Sequence, residues 1–244
     1  MIITVITSNH PRHLYLIKKM SEVANKLFVI IEPKSNLIEK KIKKNKILHE
    51  YFKKVQKAEN QLFPEKVIKN LKNTTIYPVS RNKIDFETLK NEKLFLKSSK
   101  YIVFGSSIIK DKLYNYLKKK GAINIHMGIS PYYRGTDCNF WAIIDKRPQD
   151  VGGTIMQLSK KIDAGKILFT SKVSYKKNKF DFMMSSCRRI IDDLKKYLKD
   201  NKKKMLFKKN NLKDCVRFSK KKDFNSMIIK KFYKINIKKA NLDK

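Results

Sequence analysis

A chain of 244 residues sits between one large domain and two small ones, so a single α/β domain with appendages is the leading expectation. Lys and Arg number 58 against 21 Asp and Glu, a formal net charge of +37; yet 41% of residues are hydrophobic, which excludes wholesale disorder because enough surface can be buried to offset chain entropy. Cys138, Cys187 and Cys215 are odd in number, widely spaced and without a CxxC pair, which excludes a disulfide framework and a cysteine zinc site and suits a reducing compartment.

The chain opens with apolar, β-branched residues 2 to 7, expected as a strand. Ser8-Asn9-His10-Pro11 then supplies polar caps and a proline near a helix start, followed by Leu14, Ile17, Met20 and Val23 or Ala24 at helical spacing. Lys26 to Ile31 reads as a second strand, so the opening is a β-α-β unit that predicts a parallel sheet. Residues 34 to 72 are lysine-rich with a ragged helical period and read as a helical insertion, either one or two exposed helices or an arm. A strand over 75 to 79, a helix near 84 to 97, a buried strand over 101 to 105, a helix over 110 to 119 and a strand over 121 to 126 continue the alternation. It then stops at a loop (127 to 137), a short apolar helix (139 to 144) and strands near 153 to 158 and 166 to 173. Residues 176 to 244 read as a basic helical extension of a domain spanning 1 to 175.

The opening apolar segment is too short for a signal peptide or membrane span, and lysine interrupts every longer apolar run, so a cytoplasmic protein with no membrane contact is expected. The charge invites a nucleic-acid partner, but only Arg12, Arg81, Arg134, Arg147, Arg188, Arg189 and Arg217 among the 58 basic residues are Arg. The 58 − 7 = 51 lysines are spread along the whole chain, whereas planar readout of phosphates and bases favours Arg. A solvated lysine coat is the preferred account, and nucleic acid is not favoured.

Chemistry concentrates between Ile123 and Leu168. Asn124 and His126 lie two apart on a strand, so both side chains project to one face at its carboxyl end, where open α/β sheets bind ligands. Taken singly, a strand-end Asn or His ordinarily satisfies backbone groups, Asp163-Ala164-Gly165 reads equally as a turn, and Trp141 reads as core. Together, Asn124-Ile125-His126, Pro131, Tyr133-Arg134-Gly135 and Asp163-Ala164-Gly165 resemble the signature of the 10-formyltetrahydrofolate-dependent formyltransferases. That group includes glycinamide ribonucleotide, methionyl-tRNA and sugar N-formyltransferases. The loop departs from the family's Pro-Ser-Leu-Leu-Pro, with Met127 for the first Pro, Gly128 for Ser and Ser130 for the second Leu.

The resemblance implies a Rossmann-like, mostly parallel sheet with flanking helices. It also implies Asn124, His126 and Asp163 as catalytic residues, no metal, and 10-formyltetrahydrofolate as co-substrate. The folate would lie between the strand ending at Phe104-Gly105 and the loop ending at Asp163, touching Phe104, Gly105, Gly128, Ile129, Ser130, Pro131 and Ile162. Formyl transfer to an amine is acyl transfer, for which Asn124 and His126 can stabilise the oxyanion and Asp163 can raise the proton affinity of His126. The turn after the first strand lacks glycine and Pro11 removes a backbone N–H, which argues against a glycinamide ribonucleotide phosphate there. A nucleotide-linked amino sugar is therefore the preferred acceptor, with Arg12 on its phosphates. Methionyl-tRNA, glycinamide ribonucleotide, or an inactive RNA- or partner-binding protein on the same fold are the alternatives. A helix with Phe224, Met227, Ile228 and Phe232 could pair two copies in a homodimer or cap the domain.

Overall fold

In the computed structural model, residues 1–33, 45–64, 71–200 and 205–237 are described. They begin with β1 (Ile2–Ser8), α1 (Pro11–Ser21) and β2 (Lys26–Glu32), then α2 (Lys46–Leu62), β3 (Thr74–Pro78), α3 (Phe86–Leu89), α4 (Lys93–Lys97), β4 (Lys100–Val103), α5 (Asp111–Lys119) and β5 (Ile123–His126). There follow β6 (Tyr133–Gly135), α6 (Cys138–Ile144), β7 (Gly152–Gln157), β8 (Ile167–Lys172), α7 (Lys179–Lys199), β9 (Arg217–Ser219) and α8 (Ser226–Lys234).

Seven strands form one sheet in the order β3-β2-β1-β4-β5-β7-β8. The pairings among the first five are parallel, as the β-α-β opening requires, and those of β5 with β7 and β7 with β8 are antiparallel. The expected mostly parallel α/β sheet is thus present. Its central strands are buried on both faces, which explains why they read as continuous apolar runs. Successive residues enter different cores: Ile3, Val5, Val29 and Ile102 lie with Leu16, Ile17 and Ile190 under α1 and α7. Ile6, Phe28, Ile30 and Val103 lie with Phe95, Leu113 and Leu117 under α4 and α5.

Three expectations change in detail. The helix expected over 84–97 is two short helices, because Asp85 caps the first through Thr88 N–H at 2.8 Å and the chain turns at Lys90. The insertion's helix, α2, starts at Asn45, whose side chain accepts from Leu48 N–H; residues 34–44 and 65–70 of the expected insertion lie outside the described residues. Far from being exposed all round, α2 buries Tyr51 among Phe140, Phe180, Phe224 and Phe232, which ties it to α6, α7 and α8. Stacked and edge-on aromatic contacts of this kind add stability beyond their buried area.

Residues 176–237 carry two helices and also β9. The division drawn at residue 175 falls inside a core: α7 contributes Cys187, Ile190, Ile191, Leu194 and Leu198 to the cluster that holds β1 and β5. Lys179, at the start of α7, donates to the carbonyls of Phe232, Tyr233 and Ile235, so one cation satisfies the carboxyl end of α8. β9 pairs in parallel with β6, a strand inside the segment expected as loop. No helix among the described residues is long and apolar enough to cross a membrane.

Candidate active site

β5 places Ile123 and Ile125 in the core beneath α1 and α7, so Asn124 and His126 face the opposite way. His126 is buried, 5% exposed, opposite Thr154 of β7. The Thr154 hydroxyl donates to Gly128 O at 2.6 Å and accepts from Ser130 N–H at 3.0 Å, which pins the loop leaving β5. That loop delivers β6, whose Tyr133 carbonyl lies 2.9 Å from His126 Nε2.

Asp163 arrives from the loop between β7 and β8. Its carboxylate accepts from Gly135 N–H at 3.0 Å, lies 3.3 Å from His126 Nδ1 and accepts from Asn124 Nδ2 at 3.5 Å. The three residues expected to be catalytic therefore meet in one network, drawn from two segments 39 residues apart. Asp163 itself sits at φ 48°, in the left-handed region that Asp and Asn tolerate better than most residues.

The electrostatics follow from this geometry. Burial works against a charged His126, but the adjacent Asp163 carboxylate outweighs it and raises the His126 pKa well above the ordinary imidazole value. Burial likewise opposes a charged Asp163, yet His126, the Gly135 N–H and Arg134 hold its pKa below the usual carboxylate range. Burial pushes the Cys138 thiol up, so it stays protonated. A doubly protonated imidazole also matches the hydrogen bonds: both ring nitrogens face acceptors, Tyr133 O and Asp163 Oδ1.

The residues expected to touch folate divide into two groups. β4 pairs with β5 so that Val103 lies opposite Asn124, which brings Phe104-Gly105 out of the sheet beside β5. Gly105 has φ +68°, and a Cβ there would lie 2.4 Å from the His13 ring; that ring packs on Phe104 at 4.6 Å, so this edge is closed by α1. A Cβ on Gly128 would lie 2.6 Å from Cys138 Cβ and 2.7 Å from His126 Nε2, so the loop packs directly on both side chains and only glycine fits there. Ser130 Oγ is buried with no hydrogen-bond partner among the described residues, Pro131 is half-buried, and Ile162 is exposed beside Asp163. The Ile129 side chain packs inward on Gly152, which leaves only its backbone for a ligand.

Arg12 is placed differently from the expected role. Its guanidinium is paired at 2.7 Å with the buried Glu59 of α2, and its N–H donates to the same carboxylate at 3.3 Å. The start of α1 is thus already served by an internal anion, and Arg12 is a strut between α1 and α2.

Several groups at the site escaped the sequence analysis. Arg134 donates to Ile162 O at 3.2 and 2.6 Å and lies over the Phe218 ring, bracing the Asp163 loop from β6. Asn210 donates to the carbonyls of Asp163 and Gly165 at 3.3 and 3.1 Å. Arg134 is visible within the Tyr-Arg-Gly motif, whereas Asn210, flanked by Lys208, Lys209 and Asn211, gives no sequence signal. Among the described residues no group of three or more His, Cys, Asp or Glu could hold a metal ion.

No family model matches the chain. A segment of 62 residues is 44% identical to a methionyl-tRNA formyltransferase of Staphylococcus aureus, covering 25% of this chain and 20% of that protein. A segment of 58 residues is 41% identical to the methionyl-tRNA formyltransferase of Desulforamulus reducens, covering 24% of this chain and 18% of that protein. The chain thus spans about a fifth of the length of the curated relatives it matches.

Solved structures match over far more of it. A 4-N formyltransferase from Francisella tularensis superposes with a TM-score of 0.60 at 21% identity, over 95% of this chain and 85% of that one. A sugar N-formyltransferase from Shewanella gives 0.54 at 20% identity, over 92% and 78%. A phosphoribosylglycinamide formyltransferase from Anaplasma phagocytophilum gives 0.53 at 16% identity, over 81% and 84%. The chain thus shares the fold of these formyltransferases.

Proposed function

We propose that this protein transfers a formyl group from 10-formyltetrahydrofolate to the primary amine of a nucleotide-linked amino sugar. The observation that carries the reading is the convergence of Asn124, His126 and Asp163 on one another at the carboxyl end of β5, with 3.3 and 3.5 Å contacts. The folate would supply the formyl carbon: the acceptor amine would form the new C–N bond as the carbon–N10 bond breaks, and the proton lost by the amine would end on the tetrahydrofolate nitrogen, so no side-chain nucleophile is needed.

The loops suit that donor: Ser130 Oγ is a buried polar group with no hydrogen-bond partner among the described residues, and Ile162 offers an exposed apolar face. Asn124 Nδ2 spends one hydrogen on Asp163 and keeps the other for the carbonyl oxygen at which negative charge develops. His126, protonated on both nitrogens, acts on that oxygen as a fixed positive charge oriented by Tyr133 and Asp163. Each such preorganised group is typically worth about 10²–10³ in kcat.

For the acceptor, the occupied start of α1 supports a substrate other than one whose phosphate sits there, because Pro11 lacks an N–H and Arg12 N–H is taken by Glu59. The sequence likeness to methionyl-tRNA formyltransferases and the net charge of +37 favour charged initiator tRNA as the second reading. Purified protein incubated with 10-formyltetrahydrofolate and a panel of nucleotide-linked amino sugars, initiator tRNA and glycinamide ribonucleotide decides between them. Formylation of an amino sugar, abolished by His126→Ala, is expected. Turnover with tRNA or ribonucleotide alone sinks the acceptor assignment, and activity retained in His126→Ala sinks the mechanism.

A further inference from the structure

We infer that Asn210 is a positioning residue for Asp163, which makes the segment from 205 to 219 part of the catalytic unit. This inference rests on the formyl-transfer reading for its kinetic consequence only. Asn210 is 8% exposed, and its Nδ2 donates both hydrogens, to Asp163 O at 3.3 Å and Gly165 O at 3.1 Å. Between those carbonyls the chain makes the turn that aims the Asp163 carboxylate at His126, and Asp163 does so at φ 48°, a backbone state that needs external support in a non-glycine residue. On its other side the loop has no slack, since a Cβ on Gly165 would lie 1.8 Å from Gln157 O of β7.

The amide orientation is fixed by the two carbonyls it serves, because the flipped amide would set oxygen against oxygen. That leaves Asn210 Oδ1 buried with no partner among the described residues. A side chain present only to fill space would not carry such an oxygen, so the position is explained by its donors.

The anchor for Asn210 is itself secured at both ends. Lys208 and Ile167 exchange backbone hydrogen bonds at 2.7 and 2.8 Å, which locks the segment to β8. Val216 and Arg217 N–H both donate to Tyr132 O, and β9 then pairs with β6. The same segment therefore grips the Asp163 loop and the strand whose Tyr133 carbonyl meets His126. The charged and titratable groups bearing on His126 are Asp163 and Cys138, with Arg134 beyond Asp163 and Asp137 beyond Cys138. Of the residues that hold this arrangement, Asn210 is uncharged, so its replacement changes geometry without adding or removing charge.

The test replaces Asn210 by Leu, which keeps its size without donors, and by Ser, which keeps one donor. Asn115→Ala, at an exposed position of α5 outside this segment, is the control. The imidazole resonances of His126 are titrated by NMR, with His10, His13 and His49 as internal references, and kcat and KM are measured separately.

In Asn210→Leu the His126 midpoint is expected to fall by about one unit or more as the carboxylate moves away. kcat is expected to fall by about 10²-fold with the amine KM little changed. Asn210→Ser should lie between. A His126 midpoint and a kcat within twofold of the unaltered protein overturn the proposal. If Asn210→Leu does not fold, an unshifted midpoint in folded Asn210→Ser overturns it instead. Should the unaltered protein formylate none of the amines, the formyl-transfer reading fails, while the midpoint still decides the role of Asn210.

Discussion

Asp163→Asn removes one charge from the site while keeping nearly the same shape, and its effect can be worked from the structure. At 3.3 Å and an effective dielectric of about 20, the attraction between the His126 imidazolium and the Asp163 carboxylate is about 5 kcal/mol, which holds the imidazole in its charged form. With the carboxylate gone, burial acts on the ring unopposed, and the His126 midpoint should drop from well above 6.5 to below it. Near neutral pH the ring is then neutral: it keeps one N–H for Tyr133 O and brings no positive charge to the site. Formyl transfer should fall by about 10²–10³-fold, the scale of losing one preorganised electrostatic group. Acidification should restore part of the lost rate as His126 regains its proton, whereas the unaltered protein should show no such recovery. The assays are an NMR titration of His126 and the pH profile of kcat. An unchanged His126 midpoint in Asp163→Asn would falsify the electrostatic account.

Stability should also respond to pH through His126. Its folded pKa is raised, so the folded state holds the proton more tightly: the contribution is full below the unfolded value near 6.5 and is lost as pH rises through the folded value. Urea midpoints should decline across that alkaline window, and His126→Gln should flatten that decline; an unaltered slope refutes the assignment. Asp163, whose pKa is lowered, has the opposite sign: its contribution is present above the unfolded value of about 3.8 and is lost as pH falls through the folded one. Gly165→Ala would drive a methyl against Gln157 O, which should cost about 1–3 kcal/mol by denaturant unfolding and displace Asp163, so kcat should fall further than stability predicts. Phe232→Ala empties a fully buried site stacked on Phe140 at 4.8 Å and should cost about 3–5 kcal/mol in urea; a loss under about 1 kcal/mol would show α8 to be an appendage.

The lysine coat that dominates the composition takes little part in the site: the groups that set its electrostatics are Asp163, His126 and Arg134. The charge is thus compatible with a small acidic substrate or with RNA, and the geometry of Asn124, His126 and Asp163 is indifferent to it.

Strands and helices were legible wherever local pattern decides them. β1, β2 and β4 announce themselves as β-branched runs, and α1 by Pro11 followed by Leu14, Ile17 and Met20. Asn124 and His126 were legible because a strand's period of two places them on one face without reference to any other part of the chain. Asp163 was legible through its motif, although its distance from His126 was not. What only the tertiary structure decided depends on residues far apart in sequence. Arg12, apparently free to meet a phosphate, is claimed by Glu59 of a helix 47 residues on. The basic segment after α7 reads as a tail, yet it supplies Asn210 to Asp163 and β9 to β6. A period in sequence reports which face of an element is apolar; it carries no information about which distant polar group will satisfy a buried carbonyl or carboxylate. That choice is made when the chain closes on itself, and in this protein it is what turns three ordinary residues into a site.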